Sequence, residues 1–271
     1  MLEWSYSCFD GDAGARVAAD LALHDAFAHF LGIPVVDYYG QKVRSLPTSV
    51  TIGIMGVEDT LEEAREYLDA GFKVIKVKLG KELKEDIERL KAMRQLLPKE
   101  LVIRIDANQG WTKSETEIFF QSTANLDIEL VEQPIKAEQI QQLGGLPEQF
   151  KKRIAADESL IDSSDAALWA KSPQPAGIFN IKLMKCGGIW DAKRIAHIAA
   201  SSGIDLMWGC NDESIISITA ALHMAFSCAN TKYIDLDGSL DLATDVVRGG
   251  FLINDGMMSI GEGAGLGIER I

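Results

Sequence analysis

The chain has 271 residues, with 27 Lys and Arg against 40 Asp and Glu, a formal net charge of −13. At 47 % hydrophobic and 25 % charged residues, the composition is that of a globular protein, and the length suits one large α/β domain or two modest ones. This acidity argues against nucleic acid as a partner. No run approaches the roughly 20 apolar residues of a membrane span, and the first twenty residues carry no signal-peptide core.

The cysteines Cys8, Cys186, Cys210 and Cys228 are scattered without a CxxC pair, so they read as reduced thiols of a cytoplasmic protein. His24, His29, His197 and His223 form neither HExxH nor HxH, which removes the usual histidine metal sites.

In chain order, Ala13–Leu31 is a long, mostly apolar helix closed by Gly32 and Pro34. Eight β-rich runs follow: Ser49–Met55, Lys73–Leu79, Leu101–Ala107, Ile128–Gln133, Arg153–Asp157, Gly177–Leu183, Ile204–Gly209 and Tyr233–Asp237. Amphipathic stretches such as Leu61–Ala70 and Asp86–Leu96 fit between them. The runs begin every 24 to 29 residues, the length of a strand, a helix and two loops. Such alternation predicts a parallel sheet with right-handed crossovers, and eight units predict closure into a TIM-type barrel rather than a doubly wound open sheet. The expected organisation is an N-terminal segment with its pre-barrel helix over 1–48, a barrel over 49–240 and a C-terminal segment over 241–271 packed on the barrel. The closing GEGAGLGIERI is Gly-rich, but no βαβ unit follows it, so it is not a dinucleotide fingerprint.

Barrel sites lie at the C-terminal ends of the strands. In VIKVKLG the period-2 alternation sends Ile75, Val77 and Leu79 to the helices and Lys76 and Lys78 to the barrel mouth. An isolated KxK is more often one wet face of a strand, but both faces of a barrel strand are covered. Strands three, four and five end in Asp106, Glu132 and Asp157, which stand 26 and 25 residues apart. Three adjacent carboxylates repel one another, and a hard, oxygen-preferring divalent cation such as Mg²⁺ relieves that cost. The competing reading is that each caps the next helix. On strand six, FNIKLMKCGG turns Lys182 inward with Asn180 and Met184. Strands two and six oppose each other in an eight-strand ring. Lysines there suit removal of a proton from one face of a carbon and its return to the other.

The ordered set Lys76-x-Lys78, Asp106, Glu132, Asp157 and Lys182 resembles the enolase superfamily, muconate-lactonizing subgroup. In YIDLDGSLDL, Asp235-x-Asp237 looks like the DxD of the dipeptide epimerases, of which the L-Ala-D/L-Glu epimerases are the best known. The resemblance runs from the helix near Ala13 to the closing GLG. It implies a (β/α)₇β barrel that binds Mg²⁺ through Asp106, Glu132 and Asp157. It implies epimerisation of a small dipeptide at the α-carbon of its C-terminal residue, by 1,1-proton transfer through an enolate. Lys78 and Lys182 would be the paired acid and base, and Lys76 would contact the substrate carboxylate. Asp235 and Asp237 would receive the α-ammonium. Thr51 sits where the family has a substrate-contacting Thr, although an ordinary β-branched strand residue explains it equally well.

The family carries an α+β capping domain ahead of the barrel, and this chain starts almost at the pre-barrel helix. The expectation is a barrel without that cap, with a mouth open to water, impaired turnover, and exposed surface that leaves a homo-oligomer open. Strand seven ends MWGCNDES, where Asp212 either favours a cationic C-terminal side chain or caps the helix near Ser214. Rival readings are another reaction of the same superfamily (N-acylamino-acid racemisation, o-succinylbenzoate synthesis or cycloisomerisation) or a non-catalytic barrel or fragment.

Overall fold

The protein is described by a computed structural model covering residue 9 and residues 11–271; Cys8 lies outside the described residues. Helix α1 (Ala13–Leu31) starts where the Asp12 side chain accepts the Ala15 N–H at 2.9 Å and stops at Gly32, whose φ of 70° is the left-handed conformation that glycine adopts without cost. It buries Val17, Leu21 and Ala28 together with Asp20 and His24. Asp20 Oδ2 accepts the Ile189 N–H at 2.6 Å, which ties the helix to the barrel wall. The short helix α2 (Val35–Tyr39) follows. Among the described residues, no helix is long and apolar enough to cross a membrane.

After a two-residue strand β1 (Leu46–Pro47), eight parallel strands pair in chain order: β2 (Ser49–Ile52), β3 (Val74–Lys78), β4 (Val102–Asp106), β5 (Ile128–Glu132), β6 (Ile154–Ala156), β7 (Ile178–Ile181), β8 (Asp205–Gly209) and β9 (Thr231–Asp235). A parallel bridge between Thr48 and Ile234 brings the last strand back to the first. Side chains stitch that seam: Thr48 Oγ1 accepts the Leu236 N–H at 2.9 Å, and Ser49 Oγ donates to Asp235 Oδ1 at 2.6 Å. The expected (β/α)₇β barrel is the observed fold.

Helices α3 (Val57–Asp69) and α4 (Leu83–Leu96) begin a turn ahead of the apolar periodicity that marks them in the sequence. Their first turns are acidic, Glu58 and Asp59 in one and Glu85 and Asp86 in the other. Acids there complement the helix dipole while contributing nothing to the apolar stripe. Helix α5 (Lys113–Ser122) opens with a capping box between Thr112 and Glu115. Between β5 and β6 the crossover is a 3₁₀ stretch, Ala137–Gly145, and one turn of helix α6 (Glu148–Lys151). The remaining helices are α7 (Ser163–Trp169), α8 (Leu183–Cys186), α9 (Ile189–Ser201) and α10 (Ile215–Ser227).

One detail corrects the sequence reading and a second adds to it. β7 ends at Ile181, because Leu183–Cys186 coils into α8 with Lys182 as its N-cap. Met184 therefore does not point into the barrel with Asn180. In β5 the register against β4 shifts, with Ile103 opposite Ile128 but Ile105 opposite Val131. That bulge carries the extra residue that turns both Glu129 and Leu130 toward the interior.

The barrel interior is layered. Leu130, Ala155, Ile178 and Met207 form a separate apolar cluster, with Tyr233 packed against it. Polar side chains occupy the rest, and the larger hydrophobic core lies between strands and helices. The C-terminal strands β10 (Val247–Gly249), β11 (Phe251–Asn254), β12 (Met257–Ile260) and β13 (Ile268–Arg270) form two small antiparallel sheets, β1-β12-β11 and β10-β13. Gly256 O accepts the Thr48 N–H at 3.0 Å, so the β11–β12 turn closes the barrel at the N-terminal ends of its strands. The opposite end stays open.

Candidate active site

At the C-terminal strand ends is a cavity of about 510 Å³, whose walls include Thr51, Lys76, Lys78, Asp106, Asp157, Lys182, Asp212, Asp235 and Asp237. A larger groove of about 750 Å³ lies on the outer wall between α1, α2 and α9 and contains none of these groups. Lys78 and Asp106 are register partners, as are Asp106 and Glu132. Asp106 and Glu132 thus stand at one height, Asp157 follows just past the end of β6, two residues beyond Glu132's partner Ala155, and the strand order puts β3 opposite β7.

Each acid is engaged by an ammonium. Lys76 Nζ lies 3.4 Å from Glu132 Oε2, 3.6 Å from Asp106 Oδ2 and 2.5 Å from Asp235 Oδ2. Lys182 Nζ donates to Asp157 Oδ2 at 2.8 Å, and Lys185 donates to both Asp157 Oδ1 and the Asp157 carbonyl. As placed, no three of the His, Cys, Asp and Glu side chains among the described residues cluster closely enough to hold one ion.

The electrostatics follow from this crowding. Burial pushes Glu132 well above the usual carboxylate range; Lys76 opposes that and its neighbours Asp106 and Asp157 add to it. Burial also acts on Asp157, but Lys185 and Lys182 hold it far below that range. Lys76 and Lys182 remain ammoniums against the pull of burial, Lys76 through Asp235 foremost and Lys182 through Asp157. The Lys78 side chain makes no hydrogen bond or ion pair with any described residue, although it faces the same cavity.

The aspartate pair divides. Asp235 is only 2 % exposed and is saturated by Lys76 on one oxygen and Ser49 on the other. Asp237 faces the cavity, where its Oδ2 accepts the Thr51 backbone N–H at 2.9 Å. Burial, then the neighbouring Asp235, pushes Asp237 up to about 7. Thr51 therefore contributes a backbone donor to the wall, a role that the side-chain pattern does not reveal. Asp212 is not the cap of α10: that position belongs to Ser214, whose Oγ accepts the Ile216 N–H at 3.2 Å. Asp212 is left exposed at the cavity rim.

Lys185 and Arg104 escaped the sequence reading, and Asn180 was read as facing inward but was given no role. Lys185 lies one turn beyond Lys182, and its signal, KxxK, becomes meaningful only once β7 gives way to α8. Asn180 is fully buried and donates its amide to Glu132 Oε1 at 2.8 Å. Arg104, buried and the register partner of Lys76, donates from Nη1 to the Ile234 carbonyl at 2.7 Å and to Ser49 Oγ at 3.2 Å, and from Nε to Glu129 at 2.7 Å. It alternates inward with Asp106 on β4, so period-2 counting extended below the strand end would have found it.

Three oxygen donors, all buried, on adjacent strands and mutually repelling, are the chemistry of a hard divalent cation site. The ammoniums now among them mark where positive charge is needed. The donor set fits Mg²⁺.

The family described as enolase C-terminal domain-like matches residues 59–270. An L-Lys-D/L-Arg epimerase of Desulforapulum autotrophicum is 51 % identical over 257 residues, which span 95 % of this chain and 72 % of that protein. A dipeptide epimerase of Methylococcus capsulatus, solved with Mg and the dipeptide L-Arg-D-Lys, superposes with a TM-score of 0.97 at 49 % identity, covering 98 % of this chain and 75 % of that one. The substrate-liganded L-Ala-D/L-Glu epimerase of Bacillus subtilis superposes at 0.92 with 33 % identity, covering 99 % and 76 %. These relatives are isomerases, and each extends beyond the part matched here. By profile, by sequence and by fold, the chain belongs to the enolase superfamily.

Proposed function

We propose that the protein is a Mg²⁺-dependent dipeptide epimerase that inverts the α-carbon of the C-terminal residue, with cationic dipeptides as its preferred substrates. The observation that carries this reading is that Lys78 and Lys182 line one cavity at the ends of opposed strands, with three buried acids at the ends of the strands between them. Asp106, Glu132 and Asp157 would hold the cation, which when bound supplies positive charge where the substrate carboxylate becomes electron-rich.

The chain's own groups do the rest. Lys182, kept as an ammonium by Asp157, would deliver a proton to one face of the α-carbon. Lys78 stands across the cavity to take the proton from the other face, and in the reverse direction the roles exchange. Lys76 meets the substrate carboxylate, and Asp237 receives the α-ammonium as a charge-assisted partner. Asp212, on the rim, favours a cationic side chain by Coulomb attraction. The cationic preference agrees with the L-Lys-D/L-Arg epimerase of D. autotrophicum.

The test is α-deuterium incorporation in D₂O from dipeptides ending in Arg, Lys, Glu and Leu and from an N-acylated amino acid, with Mg²⁺ and with EDTA. Metal-dependent exchange fastest for Lys-Arg is the expected result. Exchange confined to the N-acylated compound would replace this reading with N-acylamino-acid racemisation.

A further inference from the structure

Gln133 stands between two of the acids. It follows Glu132 at the end of β5, is fully buried, and has a φ of 33°, in the left-handed region that favours glycine. Pro134 comes next, and a residue before proline prefers extended backbone, so position 133 is strained on two counts. Strain of this kind persists only where the surroundings over-determine it.

Those surroundings are hydrogen bonds to both flanking strand ends. The Gln133 N–H donates to the Ala155 carbonyl of β6 at 2.9 Å, and the Gln133 carbonyl accepts the Gln109 N–H, just past β4, at 2.8 Å. The side chain reaches further. Its Oε1 accepts the Asp157 N–H at 3.0 Å, the Ser159 N–H at 3.2 Å and the Ser159 hydroxyl at 2.8 Å, while Nε2 donates to the Ile135 carbonyl at 2.9 Å. β6 is three residues long and ends at Ala156, which leaves Asp157 outside the strand ladder. The Gln133 amide takes the place of a ladder partner. Extended backbone at 133 would have continued the alternation of β5 and sent that amide to the outer face.

A fixed spacing between two carboxylates matters more to a small cation than to a large one. Mg²⁺ demands near-octahedral oxygens at about 2.0–2.1 Å, whereas Ca²⁺ accepts flexible geometry at about 2.3–2.6 Å. Loosening Asp157 against Glu132 therefore penalises Mg²⁺ and leaves Ca²⁺ nearly indifferent.

We propose that Gln133 is the positioning residue that fixes Asp157 against Glu132 and thereby sets the preference of the site for Mg²⁺ over Ca²⁺. This inference rests on the reading that Asp106, Glu132 and Asp157 hold the cation.

Titration calorimetry with MgCl₂ and with CaCl₂ compares the wild-type chain with Gln133→Met, which keeps the length of the side chain and removes its amide, and with Ser159→Ala, which removes one donor to Oε1. Circular dichroism reports on the fold. The wild type is expected to bind Mg²⁺ more tightly than Ca²⁺. Q133M should weaken Mg²⁺ binding by about tenfold or more and Ca²⁺ binding by no more than about twofold. S159A should act in the same direction, by about threefold for Mg²⁺, and is the deciding variant if Q133M does not fold. A residue that merely supports the fold would lower both affinities together. An equal loss for both cations, or an unchanged Mg²⁺ affinity in the deciding variant, overturns the inference. So does a wild type without a preference for Mg²⁺, which leaves the cation site itself standing. A wild type that binds neither cation removes the site, and this inference with it.

Discussion

Asn180 holds Glu132 through a 2.8 Å amide-to-carboxylate hydrogen bond, and Gly209 on the next strand makes room for it. A Cβ at position 209 would stand 2.7 Å from Asn180 Oδ1. Glu132 thus has one oxygen fixed by Asn180 and the other turned toward Lys76 and Asp106. Partners of this kind set a ligand's orientation, and their loss typically costs about 10- to 100-fold in metal affinity. Asn180→Leu is expected to weaken Mg²⁺ binding by about tenfold or more, and Gly209→Ala to act in the same direction by displacing the amide. Titration calorimetry with MgCl₂ measures both; unchanged affinity in Asn180→Leu would show that Glu132 is not oriented this way.

In the proposed mechanism Lys78 and Lys182 would each serve one face of the α-carbon. Lys182→Ala and Lys78→Ala should each reduce epimerisation by about 10²- to 10⁴-fold, the usual contribution of a positioned acid or base. Each variant should still exchange the α-proton of one enantiomer and not the other, and the retained enantiomer should differ between them. Mass spectrometry of L,L- and L,D-dipeptides in D₂O reads this directly. Exchange of both enantiomers by either variant would rule out a two-base mechanism.

The pH dependence of binding should follow Asp237. Burial, and then Asp235, raises this acid to about 7, while Lys76 and the Thr51 N–H oppose the rise. The groups that face it are thus Asp235, Lys76 and the Thr51 N–H, with the Cys210 thiol at 4.0 Å. Below about pH 7 the carboxyl is protonated and offers an ammonium no charge, so KM for a free-amine dipeptide should climb as pH falls through that value. kcat should be less affected. Asp237→Asn should flatten the KM profile and leave it high throughout; a persistent limb near pH 7 in that variant would assign the titration elsewhere.

Acid stability should depend on His223. Its Nδ1 accepts the Val36 N–H at 3.0 Å, and burial lowers its pKa from 6.5 to about 4. The native state therefore holds the imidazole neutral where the unfolded chain takes up a proton. The stability from this group is complete above about pH 6.5 and is lost as pH falls toward 4, by an amount approaching about 3 kcal/mol. Urea midpoints between pH 7 and pH 4 should show this slope, and His223→Gln, whose amide oxygen can still accept from Val36, should reduce it. An identical slope in the variant would place the acid sensitivity in the carboxylates.

Side-chain preference should lie partly with Asp212. Freed from a capping role by Ser214, it is an exposed acid at the cavity rim. Asp212→Leu is expected to lower kcat/KM for a dipeptide ending in Arg by about fivefold, a magnitude set by one partly solvated charge, and to leave dipeptides ending in Leu unaffected. A parallel series of C-terminal residues reads the change, and an unaltered ranking would remove Asp212 from the specificity determinants.

Much of this protein was determined by local pattern. Strand and helix alternation every 24 to 29 residues is a one-dimensional property, and a parallel eight-strand ring follows from it because right-handed crossovers admit few other closures. Lys76, Lys78 and Lys182 were legible because period-2 alternation fixes which strand residues face the barrel, and Asp106, Glu132 and Asp157 because they stand at or near the ends of successive strands. The tertiary structure decided what lies off that pattern. Lys185 reaches Asp157 because the chain coils after Ile181, and Glu129 meets Arg104 because one bulge breaks the alternation. Asp235 and Asp237, equivalent by spacing, acquire different partners because β9 closes against β2, where Ser49 and the Thr51 backbone are waiting. Spacing along one strand dictates a side chain's face; its partner comes from another strand, and only closure of the ring brings the two together.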